Sequence, residues 1–447
     1  MSRIIKIISR STILFSFLIS SCSQAADPNQ PNVIFIMTDD VGYGDIGSYG
    51  APDIKTPVLD QMAADGVRFT DFYANAPVCT PTRAGFTTGR YQQRYQLESP
   101  LEGPSTAEGH GLDADGRTLP ALLKNSGYST ALIGKWHLGY ENHQSPNAHG
   151  YDYFYGFKSG YVDYYQHTMG RSGEADLWEN ETKITEDGYL TDLITQHSIE
   201  FIEEHSNDPF FLSIQYNAGH WPYQRPDMPS VARNHAAHLQ PHNEDTSTRE
   251  DYVAMMERAD QGIGEVLAAL EEAGLTENTL VVFTNDNGGE WLSRNAPLFN
   301  RKLTVWEGGI RVPAIFKWPG VIPAGVVTDQ VGITMDVTAT ILAATSAQVP
   351  VDLNLEGINL LPILTGESEE ISRTLFWRTS SQKAVRSGDM KMVMSGASNT
   401  MIFNVRDDVS ERDDLTNKSQ DVARRLRGLL DAWEADVNAE ALERADH

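Results

Sequence analysis

The feature that most constrains this chain is an alternation. Short apolar runs rich in β-formers are each followed by a longer segment whose apolar residues recur at helical spacing. Val33–Met37 is the first run. Thr56, Pro57 and Gly66 then read as cap, first residue and stop of a helix, and Thr118 to Gly127 repeats that signature before the run Thr130–Ile133. Leu190, Leu193, Ile194, Phe201 and Ile202 share a helical face ahead of Phe210–Tyr216. Val253, Met256, Ile263, Val266, Leu267 and Leu270 do the same ahead of Leu280–Phe283. Strands alternating with helices give a mostly parallel sheet covered on both faces. The expected fold class is therefore α/β, with a large helix-flanked sheet forming a domain over residues 31–365.

After about Gly366 the pattern changes to the short runs Thr374–Arg378, Lys383–Arg386, Lys391–Met394 and Met401–Val405, then an amphipathic stretch from Asp421 to Val437. These predict a smaller C-terminal subdomain, 366–447, of short antiparallel strands and a terminal helix. The acidic loop holding Asp407, Asp408, Glu411, Asp413 and Asp414 reads as solvated.

Ligands of open α/β sheets gather beyond the carboxyl ends of the strands, and here four such ends are polar. Asp39 and Asp40 follow the first strand, Lys135 and His137 follow Thr130–Ile133, His220 follows Phe210–Tyr216, and Asp286 and Asn287 follow Leu280–Phe283. Asp39, Asp40, Asp286 and Asn287 offer oxygen alone, which suits a hard divalent cation such as calcium better than zinc. His235, His238 and His242 lie in a polar stretch without periodicity and read as a solvated loop rather than a zinc site.

Composition narrows the partners. Lys+Arg number 35 against 61 Asp+Glu, a formal charge of −26 over 447 residues, with 40% hydrophobic residues. That hydrophobic content excludes disorder, and the acidity argues against nucleic acid or an anionic membrane surface as the main partner. Arg3, Lys6 and Arg10 precede the apolar run Thr12–Ile19, which is too short to span a bilayer, so residues 1–26 read as an export signal. Ile19-Ser20-Ser21-Cys22 resembles a bacterial lipobox that would lipidate Cys22; plain cleavage after Ala25 or Ala26 is the alternative. The expected location is the periplasm, or the outer membrane as a lipoprotein whose lipid is its membrane contact. The sequence holds two cysteines, so removing Cys22 to the signal leaves Cys79 without a disulfide partner.

Around Cys79 stands Cys79-Thr80-Pro81-Thr82-Arg83, then Thr87-Thr88-Gly89-Arg90. Pro81 suits the first turn of a helix, which places Cys79 at a positive helix end expected to favour an anion. This C-x-P-x-R with T-G-R resembles the signature of the type I sulfatases, members of the alkaline phosphatase superfamily, whose cysteine is oxidised to formylglycine. Asp39-Asp40-x-Gly42, Gly134-Lys135-Trp136-His137-Leu138-Gly139, Asp286-Asn287-Gly288-Gly289 and Glu307-Gly308-Gly309-Ile310-Arg311-Val312-Pro313 follow in that family's order. The resemblance runs from Pro31 to the helix near Trp433.

The resemblance implies that Asp39, Asp40, Asp286, Asn287 and the modified Cys79 bind Ca2+. It implies that Arg83 holds the hydrated aldehyde, that Lys135, His220 and Lys302 grip the sulfate, and that His137 takes a proton from formylglycine. A formylglycine-generating enzyme would be the maturation partner. Two departures stand out: Thr82 where serine is commonest, and Phe299-Asn300-Arg301 before Lys302 where the family often has Arg-Gly-Gly.

Sulfate monoesters repel nucleophiles, so such a site must gather positive charge around a preorganised attacking group. A hydrated aldehyde can attack sulfur with one hydroxyl and expel sulfate with the other by re-forming its carbonyl. His220 is the expected general acid toward the leaving oxygen and His137 the base of the second step. Tyr161, Tyr164, Tyr165, Trp221 and Tyr223 could stack on sugars, with Lys158 and Arg171 meeting further anionic groups. The expected activity is removal of sulfate from a sulfated carbohydrate such as a marine algal polysaccharide. The alternatives are a phosphodiester or phosphonate monoester hydrolase with the same nucleophile, and a catalytically dead, sulfated-glycan-binding lipoprotein.

Overall fold

The computed structural model describes residues 30–104, 109–169, 172–228, 247–396 and 399–445. The export signal with Cys22, Arg171 and the histidines 235–242 lie outside the described residues.

The larger sheet is built from β1 (Asn32–Thr38), β2 (Val67–Phe69), β4 (Ser129–Lys135), β5 (Tyr153–Phe157), β6 (Trp178–Glu179), β7 (Thr182–Lys183), β8 (Phe210–Gln215), β9 (Thr279–Asn285), β10 (Ala314–Lys317) and β11 (Val326–Thr328). Their order is β11-β2-β10-β9-β1-β8-β4-β5-β6-β7. A separate parallel pair joins β3 (Phe72–Tyr73) to β12 (Gly332–Ile333). At the centre β9, β1, β8, β4 and β5 run parallel, as the alternation predicts. Toward the edges the sheet is mixed, because β10 lies antiparallel to β9 and β2, and β6 to β5 and β7. The reason for β10 is local. Residues 286–313 leave the carboxyl end of β9 and stay there to build the site, so the chain must re-enter the sheet running backwards.

Both faces are covered. Along β1, Ile34 and Ile36 enter a core with Ile194 and Phe201 of α4 (Leu190–Glu204) and Met256 and Ile263 of α5 (Arg249–Glu272). Val33, Phe35 and Met37 enter another with Phe86, Leu122, Leu123 and Ile341. Those residues belong to α2 (Cys79–Thr88), α3 (Leu119–Asn125) and α6 (Thr334–Ala344). A strand buried on both sides reads as a continuous apolar run, which is why no polar alternation marks β1. Helix α1 (Pro57–Ala64) ends before Gly66, and that glycine serves packing rather than helix termination. A Cβ there would sit 2.2 Å from the Phe316 carbonyl oxygen.

The C-terminal part is a four-stranded antiparallel meander, β13 (Thr374–Arg378), β14 (Gln382–Ser387), β15 (Met390–Ser395) and β16 (Asn399–Asn404), followed by α7 (Gln420–Ala445). Leu426, Leu430, Trp433 and Val437 of α7 share a core with Trp377, Val385 and Met392, and also with Tyr73, Tyr91 and Ile310 from the preceding part of the chain. The terminal helix runs on to Ala445, past the expected end at Val437.

One acidic residue read as solvated is buried. Glu411 is 5% exposed, and its carboxylate meets the Lys391 ammonium at 2.9 Å and accepts a hydrogen bond from the Glu307 backbone N–H at 2.7 Å. Lys391 also meets Glu307 at 2.8 Å. Burial pushes Glu411 up to about 7, Lys391 opposing and Glu307 adding to the rise. Removing Lys391 leaves the buried Glu411 carboxylate without its cation, while Glu307 keeps Arg311 at 3.1 Å, so Lys391→Met is expected to cost about 3–5 kcal/mol of stability. Urea unfolding followed by tryptophan fluorescence should show that loss; an unchanged midpoint would refute the structural role.

Candidate active site

The parallel strands end side by side, and backbone hydrogen bonds continue their pairing into the loops. The Asp39 N–H donates to Ala218 O at 3.0 Å, and the Asp286 N–H donates to Thr38 O at 3.2 Å. Asp40 and His137 both adopt left-handed backbone with φ of 58°. For residues other than glycine this costs about 1–3 kcal/mol, which the surrounding structure has to offset.

Cys79 is the first residue of α2 and is 2% exposed. The Thr82 hydroxyl accepts from the Ala76 N–H at 3.0 Å and donates to the Ala76 carbonyl at 3.1 Å, anchoring the entry to the helix. Thr80 donates to the His137 carbonyl at 3.0 Å and accepts from the Leu101 N–H at 3.1 Å. The helix end does not make the bare thiol an anion. Burial pushes it up to about 12, against the pull of Lys135 and Lys302. Desolvation here outweighs the helix-end field.

Arg83, one turn further, donates to the Lys135 carbonyl at 3.1 Å, to Gln215 Oε1 at 2.9 Å and to Asp286 Oδ2 at 3.0 Å. Lys135 Nζ lies 2.5 Å from Asp39 Oδ2, and Lys302 Nζ lies 2.6 Å from Asp40 Oδ2. His220 Nε2 stands 3.4 Å from both Asp40 Oδ2 and Lys302 Nζ. The Asn287 amide donates to Asp40 Oδ1 at 2.7 Å. All ten residues expected at the site are thus buried together, Lys302 being 9% exposed and His220 8%.

Three carboxylates, Asp39, Asp40 and Asp286, face three cations, Arg83, Lys135 and Lys302. Burial opposes ionisation of Asp40, but Lys302 and His220 overcome it and hold that carboxyl well below the usual range. Asp286 goes the other way, up to about 7, through burial and the neighbouring Asp39 charge. Burial also lowers both imidazoles: His220 to about 4, with Lys302 and Lys135 adding to the effect against Asp40, and His137 well below its ordinary value, with help from Lys135.

The two histidines differ in their exposed lone pairs. His137 Nε2 lies 2.9 Å from the Leu101 carbonyl, so in the neutral ring that nitrogen carries the hydrogen. Nδ1 is then an acceptor, buried and without a hydrogen-bond partner. His220 is reversed: Nδ1 faces the Trp221 carbonyl at 2.5 Å, leaving Nε2 toward Lys302 and Asp40.

The donors fit a hard divalent cation. Asp39 Oδ1 and Asn287 Oδ1 are buried oxygens without a hydrogen-bond partner, and such atoms cost free energy unless a ligand meets them. Ligating atoms of Asp39, Asp40, Cys79 and His220 lie within 4.8 Å of one another. Asp286 adjoins them, its Oδ1 accepting from the Asp40 N–H at 3.3 Å. A positive ion among these oxygens would relieve the repulsion that raises Asp286.

Residues 31–347 match the family model described as Sulfatase. The N-acetylgalactosamine-6-sulfatase of Canis lupus familiaris is 33% identical over 392 residues, covering 82% of this chain and 72% of that protein. The chain belongs to the sulfatase family. Arylsulfatase A of Bos taurus is 32% identical over 83% of this chain and 75% of its own length. Among solved structures, Ps i-CgsB superposes with a TM-score of 0.82 at 29% identity, covering 90% of this chain and 92% of that one. The PsFucS1 sulfatase from Pseudoalteromonas sp. gives 0.75 at 25%, covering 92% and 91%.

Two groups around the site of this sulfatase differ from expectation. Tyr164 is fully buried, donating to the Asn217 and His220 carbonyls, and Tyr223 and Trp221 are 3% and 8% exposed, so these are packing residues. Lys158 is 2% exposed and its ammonium lies 4.1 Å from the Trp178 ring centroid, turned inward rather than toward an incoming anion. Tyr161 keeps some exposure and stacks on His220 with ring centroids 5.4 Å apart. Gln215 was not legible as a site residue. It ends an apolar strand, and a lone polar residue there signals nothing until Arg83 is seen bonded to it.

Proposed function

We propose that this sulfatase removes sulfate from a sulfated carbohydrate through a formylglycine derived from Cys79, with Ca2+ as its cation. The observation that carries the reading is the burial of Cys79 at a helix start amid Arg83, Lys135 and Lys302, with an unpartnered imidazole nitrogen on His137 nearby. The carbohydrate class is supported by relatives: Ps i-CgsB is solved with k-i-k-neocarrahexaose, and the canine relative is named N-acetylgalactosamine-6-sulfatase. A marine polysaccharide is one source of such an ester, and export with lipidation at Cys22 would bring the enzyme to it. Maturation by a formylglycine-generating enzyme belongs to the same reading.

A hydrated aldehyde at Cys79 would supply two hydroxyls, one for attack on sulfur and one for release of sulfate. Asp39, Asp40, Asp286 and Asn287 would hold the calcium ion, whose contribution is positive charge at the sulfate oxygens. The chain's own groups do the rest. Lys135 and Lys302, released from Asp39 and Asp40, neutralise the sulfate, and Arg83, braced by Gln215 and Asp286, fixes the position of residue 79. Lys302 Nζ carries the proton at the edge toward the leaving oxygen and can pass it through the His220 Nε2 lone pair 3.4 Å away, and His137 Nδ1 accepts the proton released at residue 79.

Matched aryl sulfate and aryl phosphate esters test the reaction class, because a phosphodiester or phosphonate hydrolase would share the nucleophile. The sulfate is expected to turn over faster by about a hundredfold, which is about 2.7 kcal/mol of transition-state preference. Equal or reversed rates would reject the reading.

A further inference from the structure

The segment that departs from the family pattern before Lys302 also carries an unusual surface. Among the described residues, the only exposed aromatic side chains are Trp291 and Phe299, at 49% and 43%. Leu303, beside Lys302, is 61% exposed. Single exposed apolar residues need no explanation, whereas exposed aromatics confined to one active-site rim do.

This rim is fixed to the site. The Lys302 N–H donates to the Gly289 carbonyl at 3.1 Å, and Asn295 clamps Gly289 through its N–H at 2.8 Å and its carbonyl at 3.0 Å. The Gly308 N–H donates to the Phe299 carbonyl at 2.8 Å. The Leu303 N–H donates to the Pro77 carbonyl at 2.9 Å, two residues before Cys79. Asn300 and Leu303 hold left-handed backbone at φ of 68° and 72°. Such backbone at non-glycine positions persists only where its surroundings impose it.

Charge completes the surface. The Arg301 guanidinium is exposed and lies 5.8 Å from the Trp291 ring centroid. On a chain of formal charge −26, an anionic substrate needs local cations where it docks. Aromatic faces suit the apolar C–H faces of a pyranose, and a guanidinium suits a sulfate or carboxylate.

We propose that Trp291, Phe299 and Arg301 form a binding surface for the sugars adjoining the one that loses its sulfate, with Arg301 meeting a second anionic group. The occupant is a sulfated oligosaccharide, a class that rests on the carbohydrate reading above and narrows it from single sugars or aryl esters to chains. The chain lies on the Trp291 and Phe299 side of Lys302, continuous with the sulfate site.

The test compares kcat/KM on 4-nitrophenyl sulfate, a sulfated monosaccharide and matched sulfated hexasaccharides of carrageenan and chondroitin. The full-length, formylglycine-bearing enzyme is compared with Trp291→Ala, Phe299→Ala and Arg301→Ala. Wild type is expected to prefer a hexasaccharide over the monosaccharide. Each aromatic variant should lose about tenfold on that hexasaccharide, equivalent to about 1.4 kcal/mol, with the aryl ester unchanged. Trp291→Phe should recover most of the loss. Arg301→Ala should act mainly through KM, and less so at high salt. Equal losses on all three substrates, no loss on any, or no chain-length preference in the wild type would overturn the proposal while leaving the carbohydrate reading in place. Turnover of the aryl sulfate with no desulfation of any sugar would overturn both.

Discussion

Cys79→Ala and Cys79→Ser are each expected to lower kcat on aryl sulfate by on the order of 10⁴-fold or more, the scale of loss when a covalent nucleophile is removed. The two variants fail for different reasons. Alanine has no attacking atom. Serine attacks with one hydroxyl and keeps none to expel sulfate, so it should accumulate a sulfated residue 79 visible as added peptide mass. The unmodified thiol should be nearly inert as well, since burial pushes it up to about 12 and leaves it protonated at neutral pH. Protein made with a formylglycine-generating enzyme should therefore show activity proportional to the aldehyde fraction measured on the Cys79 peptide. Full activity in Cys79→Ala would remove the covalent mechanism. Because Cys79 is 2% exposed inside a site packed with paired charges, an unchanged melting temperature is the control that separates lost chemistry from lost fold.

Why this site could be read from the chain, and parts of its surroundings could not, follows from what each residue depends on. Asp39, Lys135, His220 and Asp286 occupy the carboxyl ends of parallel strands, and the alternation that predicts those strands also predicts where their ends converge. Local motifs therefore carry global position. Side-chain burial is different, because it depends on what another segment brings. Glu411 looked like one more acid in a polar loop until Lys391 and Glu307 arrived from elements far along the chain. Lys158 and Tyr164 sat in loops resembling a sugar-binding rim, yet Trp178 and the His220 loop cover them. The antiparallel β10 was equally hidden, for its direction is set by the long site-building loop and not by its own residues. Conversely, Phe299-Asn300-Arg301 registered only as a departure from a pattern, and its exposure gave that departure a physical meaning.

Metal removal is expected to have the second large effect. Asp39, Asp40 and Asp286 are all buried, and each carboxyl is paired with one cation, Lys135, Lys302 and Arg83 respectively. In the proposed mechanism Lys135 and Lys302 turn to the sulfate, so substrate binding without an added cation would leave the carboxylates facing one another and the ester. Chelation should consequently abolish turnover, and calcium should restore it better than magnesium, because an irregular oxygen cage suits the larger ion. A cation held at a hundredfold excess over its Kd adds about 2.7 kcal/mol to the native state. For a chain of this size that is a fall of roughly 3 °C in melting temperature on chelation. Asp286→Asn keeps an acceptor for Arg83 while removing one charge, so it should lose both the activity and the calcium-dependent rise in melting temperature without unfolding the site. If chelation changes neither rate nor melting temperature, and metal analysis of the purified protein finds no retained ion, the unpartnered oxygens of Asp39 and Asn287 have another explanation.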